Sequence, residues 1–156
     1  MRGRKAYPRG EFVASTDERF RPVYLSSAPD GALYVVDMYR GLIQQRTYIT
    51  EYLRDQILSR HLEQPIGRGR IWRVMHDSTR RAGNPSLTKA PAARLVDLLS
   101  HPNGWWRDTA QRLLVERKET SVVASLKRLA TEAAQARTRL HALWTLDGLD
   151  TLDAAS

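Results

Sequence analysis

Four polar residues stand where predicted strands meet loops, and their side chains are suited to holding an acidic group or moving a proton. Arg21 precedes the first predicted strand in "FRP", and Asp37, Tyr39 and Arg40 follow the second in "DMYRG". Arginine offers a fork of donors to acids, and a carboxylate can act as a base. The alternative is structural: an Arg21–Asp37 ion pair that braces the hairpin, since aspartates at strand ends often cap turns.

Other chemical motifs are absent from the sequence. It contains no Gly-rich phosphate loop, no paired-histidine zinc motif and no nucleophile elbow. With no cysteine, the chain has no disulfide, no thiolate metal site and no haem-attachment motif. A metal between two of the histidines is an alternative, but their scattered spacing favours isolated side chains. The histidines are His61, His76, His101 and His141.

The charge distribution bears on nucleic-acid binding. The chain of 156 residues has a formal net charge of +8. Residues 1–90 hold 16 Lys and Arg against 9 Asp and Glu, and residues 91–156 hold 9 against 8. Because Pro and Gly interrupt the basic segments, they are typical of solvated loops rather than of a phosphate-binding stripe. No apolar run is long enough to span a membrane, and the sequence begins without a signal-peptide pattern.

The elements that position the four polar residues are strands. "APDG" predicts a tight turn that joins a strand at 23–27 to one at 32–37, and "RIWRVM" predicts a third strand at 70–75 that pairs with the second. A helix is predicted at about 47–62 in the insertion between them. Both faces of the second strand are largely apolar, so the sheet requires cover on both sides.

The chain after residue 91 has the apolar spacing of helices. Residues 80–91 have the composition of a linker, and residues 92–156 predict at least four antiparallel helices. Leu126 follows Leu95 by 31 residues, and Arg139 follows Arg107 by 32, which indicates a repeat of helix pairs. The predicted continuous core comprises Leu95, Leu98, Ala110, Leu113, Leu126, Leu129, Ala142 and Leu146. Trp106 belongs with this core by its spacing, whereas Trp105 is open to either a core or a binding role.

The segments "DERFRP", "PDGALYVVDMYRG", "GRIWRV" and "HPNGWWR" follow one another in this order. In order and wording they resemble a junction in large bacterial membrane-bound dehydrogenase-like proteins, and the resemblance covers about residues 12–149. In that family a β-propeller similar to the pyrroloquinoline-quinone-dependent sugar dehydrogenases is followed by HEAT-type repeats and usually by a cytochrome c domain.

The resemblance implies an α+β fold: an antiparallel three-stranded sheet, as part of a propeller blade with a helical insertion, followed by HEAT-like α-solenoid helices. Residues 1–79 would be the C-terminal part of the propeller, 80–91 a linker and 92–156 about two helical units. Without further blades or a haem motif, the chain resembles a fragment that is inactive alone. The mouth of a propeller is built from the loops of all its blades.

The implied function is oxidation of a sugar or alcohol by a quinone-dependent dehydrogenase-like protein, which passes electrons to a cytochrome c. Its partners would be the remaining blades and the cytochrome, and its location the periplasm or cell envelope. Arg21, Asp37, Tyr39 and Arg40 would then face the propeller mouth and bind pyrroloquinoline quinone. Two alternatives remain: a HEAT-type interaction module with Trp105 as an anchor, and nucleic-acid binding through the basic loops.

Overall fold

A computed structural model describes residues 4, 7–78 and 85–152 of the chain. Three strands form one antiparallel sheet in the order β1-β2-β3, as predicted. Strand β1 spans Pro22–Ser27, β2 spans Leu33–Asp37 and β3 spans Arg70–Val74. Strand β2 is central, so both of its edges are paired, and its side chain Val35 is buried on one face of the sheet.

The turn between β1 and β2 lies where "APDG" predicts it. The Gly31 N–H donates to the Ala28 carbonyl over 3.0 Å, and the Asp30 carboxylate accepts from the Ala32 N–H at 3.0 Å. Gly31 has a φ of +84°, which a residue with a side chain adopts at a cost. Asn103 donates to the carbonyls of Ala28 and Pro29. Local turn chemistry and one distant amide therefore fix the hairpin tip.

The insertion between β2 and β3 is helical, although its helix is shorter than predicted. A 3-10 turn spans Arg46–Tyr48, and helix α1 spans Glu51–Ser59. The Thr50 hydroxyl accepts from the Leu53 N–H and so takes the N-cap position. At the other end the chain turns at His61, whose φ is +52°, and α1 stops before the predicted residue 62.

Within residues 85–152 four helices follow, with one 3-10 turn at Thr120–Val122. Helix α2 spans Ala92–Leu98, α3 spans Gly104–Glu116, α4 spans Val123–Glu132 and α5 spans Ala136–Gly148. All eight predicted core residues lie in one cluster between these helices: seven are buried, and Leu129 packs partly buried against them. Trp106 also packs against the cluster, and its indole N–H donates to the Pro29 carbonyl.

The helix pairs α2–α3 and α4–α5 share contacts at the predicted spacing. Arg107 donates to the carbonyls of His101 and Pro102, six and five residues earlier. Arg139, which occupies the matching place 32 residues later, donates to the carbonyls of Ala133 and Ala134. Helices α3 and α5 are also followed by matching positive-φ residues, Lys118 at +53° and Asp150 at +55°. The sequence repeat therefore corresponds to a repeat of side-chain contacts and helix endings.

The described residues fall into two compact units. The sheet unit contains those within Met1–Ser26 and Tyr34–Val74, and the helical unit contains those within Ser27–Leu33 and Met75–Ser156. The hairpin tip thus groups with the helices. Part of the predicted linker, residues 80–84, lies outside the described residues. Among the helices of the described ranges, none is both long and apolar enough to cross a membrane.

Candidate functional site

The candidate site is centred on Asp37, the last residue of β2. Asp37 shares a strand face with Val35, so the strand directs its carboxylate inward, where it is fully buried. Oxygen Oδ1 accepts from the backbone N–H groups of Arg21 and Tyr39, at 2.7 and 2.9 Å. Oxygen Oδ2 accepts from Nε of Arg70 at 3.0 Å and from Nε1 of Trp72 at 3.1 Å. Four donors from three segments therefore converge on one carboxylate.

These contacts determine the ionisation state of Asp37. Burial raises the pKa of the carboxyl group, but the hydrogen bonds from Arg21, Arg70, Trp72 and Tyr39 outweigh it and lower the pKa to about 2. Asp37 is consequently a carboxylate at neutral pH. With each oxygen accepting two hydrogen bonds, it has little capacity left to act as a base or to bind a ligand.

Arg70 supplies the positive charge next to Asp37. Its guanidinium carbon lies 3.9 Å from the centre of the Tyr39 ring and 4.7 Å from that of Trp72. Its Nη2 atom lies 3.8 Å from the Asp17 carboxylate, whose pKa is lowered by hydrogen bonds from Arg19 and Tyr39. The cation–π contacts stabilise this position of the guanidinium. Arg70 therefore links the ends of β2 and β3 to the segment before β1.

Three of the four residues predicted from the sequence meet at Asp37, but mainly through backbone groups. Arg21 and Tyr39 contribute their N–H groups to the carboxylate. The Arg21 side chain donates instead to the carbonyls of Arg40 and Gly41, at 3.2 and 3.0 Å. The predicted Arg21–Asp37 ion pair therefore does not form between side chains. The cation that pairs with the Asp37 carboxylate is Arg70, at 3.0 Å.

A small apolar cavity of about 210 Å³ lies on the same face of the sheet. The segment before β1 contributes Val13 and Phe20, and the strands contribute Val35, Trp72 and Val74. Trp72 thus has its indole N–H on Asp37 and its ring at the cavity. The cavity has room for a small apolar group only, because a ligand of the size usual for proteins occupies several hundred Å³.

The four predicted residues by themselves do not fit a quinone site. Such a site needs donors directed at the acidic groups of the cofactor, whereas Asp37 is saturated and Arg21 donates to two protein carbonyls. Tyr39 has its ring against Arg70, and Arg40 contributes its carbonyl to Arg21. Their cofactor role stays a prediction for an assembled propeller. Within the described ranges, no group of three His, Asp or Glu residues is placed to hold a metal ion.

Sequence reasoning missed Arg70, Trp72 and Asp17. Arg70 and Trp72 lie 33 and 35 residues after Asp37. The sequence does show that Arg70, Trp72 and Val74 share one face of the third strand. Since β3 pairs with β2, this pattern indicates that the three side chains can contact a carboxylate on the same face of β2. Nothing in the sequence around Asp17 indicates its contact with Arg70, because that segment has no regular structure.

Residues 2–78 match a protein family described as "Domain of unknown function (DUF7133)". This match includes the whole sheet and the residues around Asp37. No curated protein matches the chain. No solved structure matches it either.

Proposed function

We propose that this chain is a structural and docking part of a quinone-dependent sugar or alcohol dehydrogenase-like protein. In this proposal the sheet is one blade of a β-propeller, and α2–α5 are two HEAT-like units of an α-solenoid. The quinone, the substrate and the cytochrome c belong to the assembled protein in the periplasm or cell envelope. The chain alone does no redox chemistry.

The observation that carries the proposal is the exposure of the sheet's apolar side chains. In β1, Val23, Tyr24 and Leu25 are 50%, 65% and 59% exposed, and in β3 Ile71 is 66% exposed. Val23 and Tyr24 point to opposite sides of the sheet, so apolar groups face outward on both sides. A propeller blade needs apolar side chains on both of its faces, because each blade packs face to face between two neighbours.

The contacts around Asp37 support the same role. A sheet with little apolar burial of its own needs other means to hold its strand ends together, and the Asp37 carboxylate joins residues from β3 and from both ends of the hairpin. It also fixes the "DMYRG" loop at Tyr39, which has an unusual φ of +50°. In a propeller the mouth is formed by loops at the strand ends of each blade, and the "DMYRG" loop would be the loop of this blade.

The repeated contacts of Arg107 and Arg139 support the solenoid part. Each arginine lies in the second helix of its pair and ties that helix to the preceding loop. In solenoids, successive helix pairs bury their apolar faces on one another, and the continuous leucine-rich cluster of α2–α5 has this character.

The test uses the purified full chain. Light scattering after size-exclusion chromatography should show self-association, because exposed apolar faces beside a strand edge promote it. The double variant Val23→Thr and Leu25→Thr, which replaces two exposed apolar side chains by β-branched polar ones that suit a strand, should be more monomeric. Tyr48→Ser with Tyr52→Ser is the matched control, since both tyrosines are exposed near or on α1.

Dehydrogenase activity is measured on the same purified chain, with pyrroloquinoline quinone, calcium, a panel of aldoses and alcohols, and a dye acceptor. We expect no quinone-dependent reduction of the dye. Saturable turnover by a monodisperse monomer would contradict the proposal, because one blade would then suffice for catalysis. A wild-type monomer unchanged by the β1 variant would contradict the role of the exposed faces.

A further inference from the structure

A groove between α3 and α5 combines an exposed aromatic ring with acidic side chains. It has a volume of about 340 Å³. Trp144 of α5 lines it and is 57% exposed. The large exposed ring is unlike Trp105 and Trp106, which lie edge to face with their centres 5.6 Å apart and are both half-buried. The groove therefore presents an exposed aromatic ring at Trp144, whereas the sequence offered Trp105 as a binding anchor only as one alternative.

Each of the two helices lines the groove with side chains from one face. Helix α3 contributes residues spaced by three or four positions, from Asp108 to Glu116, and α5 contributes Trp144, Asp147 and Gly148. A Cβ atom on Gly148 would come within 2.7 Å of a methyl group of Val115, so the glycine is needed for the close approach of the two helices. At this point the groove is consequently defined by the Gly148 backbone packed against the Val115 side chain.

The charge of the groove is opposite to that of the chain. Among the described residues that line it are the acids Asp108, Glu116 and Asp147 and one cation, Arg112, which donates to Glu116 at 3.0 Å. The chain as a whole has a net charge of +8. A cationic partner would be repelled by most of the surface and attracted to this groove, which gives a specific site rather than general adhesion.

From these observations we propose that the α3–α5 groove binds a short Lys- or Arg-bearing peptide segment of a partner protein. A guanidinium or ammonium group lies over the Trp144 indole, where the ring face attracts a cation. Asp108 and Asp147 neutralise the peptide's charges, and the aliphatic part of its side chains packs on Val115. This inference is independent of the function proposed for the sheet.

The test is fluorescence anisotropy with a labelled decapeptide of alternating arginine and alanine. A peptide with glutamate in place of arginine is the control ligand. The wild-type chain should bind the arginine peptide and not the glutamate peptide. Trp144→Ala should weaken binding about 3- to 10-fold, as expected for one exposed cation–π contact. Asp108→Asn with Asp147→Asn should weaken it by a similar factor, and more strongly at low salt.

Matched controls separate the groove from the rest of the surface. Leu140→Ala removes an apolar side chain from α5 that is 54% exposed and does not line the groove. Asp97→Asn and Glu132→Gln remove exposed acids from α2 and α4. These variants should bind the peptide as the wild type does. Circular dichroism should show the same helix content for every variant, because all the substitutions are at exposed residues.

Several results would overturn the proposal. It fails if the wild type does not bind the arginine peptide at millimolar concentration, or if the control variants weaken binding as much as the groove variants. It also fails if sedimentation shows a dimer that Trp144→Ala dissociates, because a second copy would then fill the groove. A groove that serves nucleic acid would bind a 20-nucleotide DNA less tightly after Trp144→Ala, and this outcome too would refute a peptide site.

Discussion

Among the described residues, the sheet unit buries two apolar side chains, Val35 and Ile57, whereas α2–α5 and their connections bury a continuous cluster of leucine, valine and alanine. The sheet unit instead buries a charged group, Asp37, with four hydrogen-bond donors. The helices thus have a hydrophobic core of their own. The sheet has the Asp37 contacts, which we call the brace, at one end and exposed apolar side chains in β1 and β3.

The largest expected effect is in the helical core. Leu113→Ala should lower the free energy of unfolding of the helices by about 2 to 5 kcal/mol, because it removes a buried side chain and leaves a cavity. Urea denaturation followed by circular dichroism at 222 nm, which is dominated by helix, measures the change. Leu140→Ala is the control, since its side chain is more than half exposed. Equal effects of the two substitutions would contradict a core centred on these helices.

The next effect is at Asp37 and should be confined to the sheet. Asp37→Asn should lower the free energy of unfolding of the sheet by about 2 kcal/mol. The substitution removes the negative charge that faces Arg70. It also replaces one accepting oxygen by an NH2 group, which cannot accept the hydrogen bonds of Arg70 and Trp72. Amide hydrogen exchange of β2 and β3 should accelerate, with the exchange of α3 unchanged. Asp55→Asn is the control, because it removes an exposed acid of α1 in the same unit, away from Asp37. Equal acceleration in α3 would show that the two regions do not differ as described.

These two substitutions also separate what the sequence could predict from what it could not. The hairpin, the third strand and the helical repeat depend on local alternation, on turn residues and on the 32-residue spacing, all of which are visible in one chain. The brace depends on side chains from Asp17, Arg70 and Trp72 that meet only after the strands pair. The end of α1 was misplaced because the backbone at His61 reverses its φ without a glycine.

The pH dependence should reflect Asp37 as well. Its pKa is lowered to about 2 in the folded chain, below the usual value of 3.8. A lowered pKa stabilises the folded form fully above pH 4, and this stabilisation is lost as the pH falls from about 4 towards 2. Exchange of the β2 amides should therefore accelerate over this range after correction for the intrinsic rate. Asp37→Asn should remove most of that dependence, and an unchanged acid profile in the variant would contradict the assignment.

The smallest effect concerns the two matching arginines. Arg107→Met should cost the helical unit about 1 kcal/mol, because two loop carbonyls lose a charged donor. Arg139→Met should cost less, since Arg107 also donates to His141 over 3.2 Å. Urea midpoints of the two variants and of Arg128→Met, an exposed α4 control, give the comparison. A larger loss for Arg128→Met than for Arg107→Met would contradict a stabilising role for the contacts between the arginine and the loop carbonyls.

The most direct measurement is amide hydrogen exchange of the unmodified chain at neutral pH and low protein concentration. We expect the amides of α3 and α5 to exchange slowly and those of β1 and β3 to exchange at least tenfold faster, because protection follows the local burial and stability of each region. That result would agree with helices that have their own core and a sheet whose apolar side chains are largely exposed. Equal slow exchange in the strands and helices would contradict this account.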